Sequence, residues 1–154
     1  MVDVRLEPMT EDEYKPWRAE AEAHYARSSE ASGQSAAGAR RAAADTYARL
    51  LPDEYATAGN HFWYAYDGDR RVGFLWIKVE RDAAMVHNVA VEAEVRRRGY
   101  GRAIMLAAER WCRDSGLSRI GLHVFAHNTG ARALYEQLGF AETGRTMAKV
   151  LSAG

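Results

Sequence analysis

The spacing of apolar and polar positions changes several times along the chain, and each change marks an element. Val2, Val4 and Leu6 alternate with Asp3, Arg5 and Glu7, the two-residue period of a short first strand. Thr10 followed by Glu13 is a capping-box pair, so a helix is predicted from there to about Ala26, with an irregular first turn because Pro16 lies inside it. Ser28 to Gly38 is rich in Ser, Ala and Gly and reads as a loop. Ala39 to Leu51 returns to helical spacing, with Ala43, Tyr47 and Leu50 on one stripe and Pro52-Asp53 as its stop.

The period then shortens. His61 to Tyr66 and Arg71 to Glu80 are rich in aromatic and β-branched residues, and Asp67-Gly68 between them signals a hairpin. Phe74, Leu75, Trp76 and Ile77 are apolar in succession, which predicts a strand buried on both faces. Arg81-Asp82 makes the next turn, and Ala84 to Val91 a further strand. Gly99 to Ser115 is a helix with Ile104, Ala107, Ala108 and Trp111 inward and Gly116 as its stop. A strand over Ile120 to Phe125 and a helix over Asn128 to Leu138 follow, and the tail from Phe140 to Leu151 has room for two short strands around Gly144. The order β-α-α-β-β-β-α-β-α-β-β predicts an α/β fold of three layers, a mixed and mostly antiparallel sheet of about seven strands with helices on both faces.

Length and composition narrow the options. With 154 residues, 47% of them apolar, residues 1–154 should form one domain with a sizeable core. Lys plus Arg balance Asp plus Glu at 21 each, so net charge points to neither nucleic acid nor an acidic membrane. A single cysteine, Cys112, allows no internal disulfide and fits a reducing cytoplasm; next to Trp111 in helical sequence it reads as a buried, inert thiol. No run of about 18 apolar residues suggests a membrane span, and the first residues lack the apolar core of a signal peptide.

Charge is nonetheless concentrated in one place. Val89-Ala90-Val91 ends a strand, and Arg96-Arg97-Arg98-Gly99-Tyr100-Gly101-Arg102 leads into a helix. The first amides of a helix lack internal partners and the helix dipole is positive there; glycines let the backbone approach an anion closely. The arrangement suits a pyrophosphate, although a basic, solvated glycine turn is the plainer alternative. There is no Gly-Lys-Ser/Thr of a P-loop, and Gly99-x-Gly101 followed by Ala103 and Ile104 does not match the dinucleotide fingerprint.

A second block, Asn128-x-x-Ala131-x-x-Leu134-Tyr135-x-x-Leu138-Gly139-Phe140, stands at a fixed interval from Arg96-x-x-Gly99-x-Gly101. Together the two resemble the signature of the GNAT acyltransferases, over about Val86 to Phe140 and, through the hairpin strands, back to Phe62. His61-Phe62-Trp63 with Gly121 to Asn128 resembles a bacterial subgroup of that family. The resemblance implies acetyl-CoA as acyl donor, no metal, and an amine acceptor, either a small molecule or a peptide or protein; a homodimer is compatible with it. It also implies two parallel strands splayed apart. The pantetheine arm would lie between them on the backbone of Val89 to Val91, with Ala90 between its two anchoring residues. Amides from Arg97 to Arg102, next to Arg96, would hold the pyrophosphate. Asn128, at the start of the Ala131 helix, would meet the lower pantetheine arm, and Tyr135 would point its hydroxyl at the sulfur.

Such a transfer has two proton problems. A lysine-like amine, with a pKa of about 10.4, costs roughly 4–5 kcal/mol to neutralise at pH 7, and an α-amine near 7.7–8.0 only about 1 kcal/mol. The leaving thiolate also needs a donor. Tyr135 is the candidate acid; its alternative is a core tyrosine on an amphipathic stripe. His123 is the first candidate base and His87, of the same strand parity as Val89, the second; a water or an acid elsewhere remains open. A bulge near Val89 would aim an amide at the developing oxyanion. His61, Trp63 and Trp76 would line an acceptor pocket if they are not plain sheet core. The helices before Tyr55 should cap the acceptor side, and the sequence carries no cleft-facing acid cluster that would mark a polycationic substrate. A non-catalytic acyl-CoA-binding domain on the same fold, or an interaction module with no ligand, are the rival readings.

Overall fold

The computed structural model describes residues 2–149 and Leu151. One sheet runs in the order β1 (Arg5–Pro8), β2 (Asn60–Asp67), β3 (Arg70–Glu80), β4 (Ala83–Val91) and β5 (Arg119–Leu122). The first four strands are antiparallel neighbours and β5 lies parallel to β4. Four helices flank the sheet: α1 (Glu11–Ala31), α2 (Ala36–Leu50), α3 (Tyr100–Asp114) and α4 (Thr129–Gln137).

Strand alternation divides the core in two. Phe74 and Trp76 of β3 join Phe62 and Tyr64 of β2 against Tyr14 and Trp17 of α1 and Tyr47 of α2. Leu75 and Ile77 face the other way, onto Ile104, Met105 and Ala108 of α3, with Tyr135 of α4 and Leu138 just after it packed at the margin. The unbroken apolar run of β3 is thus explained by burial on both faces. Gly73 is required by contact rather than by conformation, because a Cβ there would overlap the Ala90 carbonyl oxygen on β4.

Local signals set the element ends. Thr10 accepts from the Glu13 amide while the Glu13 carboxylate accepts from the Thr10 amide, completing the capping box of α1. Gly116, at φ 79°, ends α3. The hairpin turns fall at Gly68, with φ 60°, and at Arg81, with φ 58°.

Several expectations are corrected. Pro16 does not disturb α1: the acceptor it leaves unused is the carbonyl of Asp12 in the first turn, and both residues are exposed to water. The helix also runs past Ala26 to Ala31, because Ala26 and Ser29 are buried at its end; the Ser-rich loop shrinks to Ser32–Ser35, and Ser35 caps α2. The first strand begins at Arg5 rather than Val2. The sheet has five strands among the described residues, not about seven. The two strands expected in the tail do not form over 140–149, where nearly every side chain is exposed, and their Val150 end lies outside the described residues. The α/β class and the layering stand.

Candidate active site

Two adjacent strands part company at a defined point. β4 and β5 pair from Ala83–Arg119 to Val86–Leu122, and there β5 ends while β4 continues to Val91. The free arm, His87 to Val91, extends about 13 Å at strand rise. It remains paired to β3 on its other edge. The Ala90 carbonyl points at Gly73 and the Glu92 amide donates to the Val72 carbonyl, so by alternation the backbone groups of Val89 and Val91 face away from β3, into the fork. The strand predicted over Ile120 to Phe125 stops at Leu122 because residues beyond it have no neighbour to pair with.

The free arm leads through a 3-10 turn, Ala93–Val95, into the start of α3. Arg97 and Gly99 adopt φ 64° and 86°, and the amides from Arg97 to Arg102 make no hydrogen bond among the described residues. Gly99 is the N-cap residue without a side-chain cap, so the first turn of α3 keeps its donors open. Arg98, Gly99 and Arg102 line a small cavity of about 180 Å3 beside Val2. Arg96, Arg97, Arg98 and Arg102 take part in no ion pair among the described residues; Arg96 reaches back 3.5 Å to the Val91 carbonyl. The Tyr100 side chain turns away and donates to Asp67 at 2.6 Å, anchoring the turn to β2. Open amides, unpaired guanidinium groups and the positive end of a helix dipole make this turn a fit for a diphosphate.

Side chains on the two sides of the fork differ in kind. On the α3 side, Tyr135 packs edge-on to Phe140, 5.8 Å between ring centres; burial raises its pKa, and its hydroxyl has no partner among the described residues. Asn128 caps α4 by accepting from the Ala131 amide at 3.2 Å, which commits its carbonyl oxygen and leaves its amide NH2 free. On the α1–α2 side stand both candidate bases. His87 is the extra residue of a β-bulge, since Trp76 pairs with Asn88 and Ile77 with Val86. The bulge therefore lies at His87 rather than near Val89. It also breaks the expected parity: His87 stacks toward Trp76, 4.8 Å between ring centres, on the face opposite to that of Val89. His123 follows Leu122 directly and is exposed, with its ring edge-on to Phe125. The two histidines flank the branch point from opposite arms.

The chain is similar to known proteins in sequence and in fold. The model of the acetyltransferase (GNAT) family matches residues 9–140. An uncharacterised N-acetyltransferase of Bacillus subtilis, YycN, is 31% identical over 96% of this chain and 99% of its own. Its crystal structure superposes with a TM-score of 0.91 over 97% of this chain and 99% of that one. A second B. subtilis N-acetyltransferase, YdgE, is 28% identical over 95% of this chain and 97% of its own. The chain belongs to the GNAT family. It is an N-acetyltransferase. The PaiA N-acetyltransferase of Thermoplasma acidophilum in complex with coenzyme A shares the fold at a TM-score of 0.69, with 15% identity over 91% of each chain.

Other residues of the acetyltransferase fall where the sequence did not lead. Trp63 lies under α3, edge-on to Trp111 and beside His61, whereas Trp76 lies on the opposite face among Trp17 and Tyr47, so these three do not line one pocket. Cys112 is buried and its thiol pKa is raised by that burial, as expected of an inert cysteine. The α1–α2 cover of the fork is more specific than anticipated. Asn88 donates to the Tyr47 hydroxyl at 2.9 Å, Tyr25 meets Phe125, and Ser32 shares a 3.1 Å hydrogen bond with His127. Asn88 was missed because only the bulge turns it, along with His87, toward α2.

Proposed function

We propose that the protein transfers an acetyl group from acetyl-CoA to a primary amine by direct attack in a ternary complex. The fork carries this reading: β4 leaves β5 at Val86 and delivers its free backbone, at its far end, to a turn full of unsatisfied donors. An extended pantetheine arm would add to the exposed edge of Val89, Ala90 and Val91 as a strand does. The turn from Arg96 to Arg102 would bind the diphosphate, and the free NH2 of Asn128, beside Ala131, would steady the arm near its reactive end.

In this arrangement the reacting carbonyl lies at the branch point, between Tyr135 on one side and His87 and His123 on the other. The amine nitrogen forms the new C–N bond, the C–S bond breaks, and two protons must move. Tyr135 protonates the leaving sulfur; burial raises its pKa and so keeps the phenol protonated at neutral pH. The amine proton goes to His123, whose exposure lets it pass the proton to water. Burial and then the nearby Lys78 lower the pKa of His87, which disfavours it as the proton acceptor.

The direct test is thiol release from acetyl-CoA across a panel of primary amines, with acetyl-CoA affinity measured alongside. Saturable release that requires an amine is expected, with a lower kcat in His123→Gln. Tight acetyl-CoA binding with no thiol release on any amine would overturn direct transfer and favour a binding domain.

A further inference from the structure

We propose that the cavity beneath His87 is the acceptor site, and that it takes a small primary amine carrying an anionic group, carboxylate or phosphate, at the end remote from the nitrogen. The inference rests on the reading above, in that it places the acetyl group at the branch point. The cavity, of about 520 Å3, lies on the α1–α2 face and ends at His87. That volume suits a small molecule rather than a folded partner.

Sheet register orders its lining. Glu80, Ala83 and Arg119 are aligned across β3, β4 and β5, and Lys78, Met85 and Gly121 form the next row toward the fork. These rows lie about 13 and 7 Å along β4 from His87 at strand rise. Arg49 comes down from the end of α2 on the other side. Three cations therefore stand against one acid, Glu80, and neither arginine nor Lys78 forms an ion pair among the described residues. Lys78 donates to the Ala58 carbonyl at 2.8 Å, which fixes its stem and leaves other N–H groups of its ammonium for a ligand.

Beside the cations the lining has apolar side chains: Leu50 and Pro52 at and just past the end of α2, and the half-exposed thioether of Met85 in the row of Lys78. This is the profile of a bifunctional ligand with an anionic end, a short carbon linker and a nitrogen delivered to the fork. Guanidinium groups bind carboxylate or phosphate by charge-assisted, bidentate contacts. The same positive field disfavours a second ammonium, so diamines and aminoglycosides are poor fits. It also favours the neutral form of the attacking amine, which is the form that reacts.

The experiment compares four amines of matched chain length with acetyl-CoA: an ω-amino carboxylate, an aminoalkyl phosphate, a neutral alkylamine and a diamine. The anionic amines are expected to exceed the neutral one in kcat/KM by at least tenfold, with the diamine lowest; the ratio between the first two separates carboxylate from phosphate. Arg119→Gln and Arg49→Gln should each pull the anionic-to-neutral ratio toward one. Binding of each amine to the CoA-saturated protein is measured separately by calorimetry. Anionic amines that bind selectively but are not acetylated would break the transfer mechanism and leave this site standing. Equal or better binding and use of neutral or dicationic amines, or a ratio indifferent to both arginine variants, would overturn the site itself.

Discussion

The turn from Arg96 to Arg102 and the cavity beneath His87 are both suited to charged small molecules, yet they are assembled in opposite ways. The turn is contiguous in the chain and offers mainly backbone amides, with Gly99 at φ 86° as the conformational requirement. The cavity draws Arg49, Lys78, Met85 and Arg119 from four different elements and offers side chains. A backbone site tolerates change in most of its side chains but not in its glycine. A side-chain site can be retuned one residue at a time without disturbing the fold. In the proposed reading the donor end is accordingly the constrained half and the acceptor end the adjustable one.

The sharpest way to break that contrast is at the point where the two halves meet. Tyr135→Phe retains the ring against Phe140 and removes only the hydroxyl, so kcat should fall by about 100-fold or more while acetyl-CoA affinity stays within about twofold. An unchanged kcat would remove Tyr135 as the acid. Next in size, Gly99→Val forces a β-branched residue into a left-handed conformation and should weaken acetyl-CoA binding by about tenfold or more, measured by calorimetry. Full affinity in that variant would mean that the backbone geometry of the turn is not what holds the donor.

Smaller effects separate the scaffold from both sites. Thr10→Ala opens the capping box of α1 and should cost about 1 kcal/mol in denaturant unfolding, with kcat/KM unaltered. A change in kcat/KM would tie the start of α1 to the acceptor half. The smallest effect concerns pH. Burial lowers the pKa of His24, His61 and His87, so as pH falls below about 6.5 the unfolded chain takes up protons before the folded one. Stability from these groups is complete above that value and declines below it. The urea midpoint should therefore drop between pH 7.5 and 5.5, and less so in His61→Gln and His87→Gln. A midpoint that rises on acidification would contradict the burial of these rings.

Much of the fold was legible because its signals are local. The capping box at Thr10, the turns at Gly68 and Arg81, the stop at Gly116 and the doubly apolar run of β3 each act over a few residues, and each appears where its chemistry predicts. Errors arose where distant partners decide. Packing of Ala26 and Ser29 carried α1 through a stretch whose composition suggested a loop, and the tail over 141–149 stays exposed, without the expected strands. Of the candidate site, the position of the glycine turn at the start of α3 could be read directly, whereas the sides of the fork could not. A single bulged residue placed His87 and Asn88 together toward α2, reversing the parity inferred from alternation.

By itself the sequence determined the family, the layered α/β class and the place of the glycine turn that opens α3, since these depend on periodicity and on residues adjacent in the chain. Only the tertiary structure decided where β4 leaves β5, which face of the sheet His87 takes, and that Arg49, Lys78 and Arg119 converge on one cavity. The physical reason is one of range: backbone conformation and helix ends respond to near neighbours, while strand register, and with it the face each side chain takes, is set by a partner strand far away in the chain.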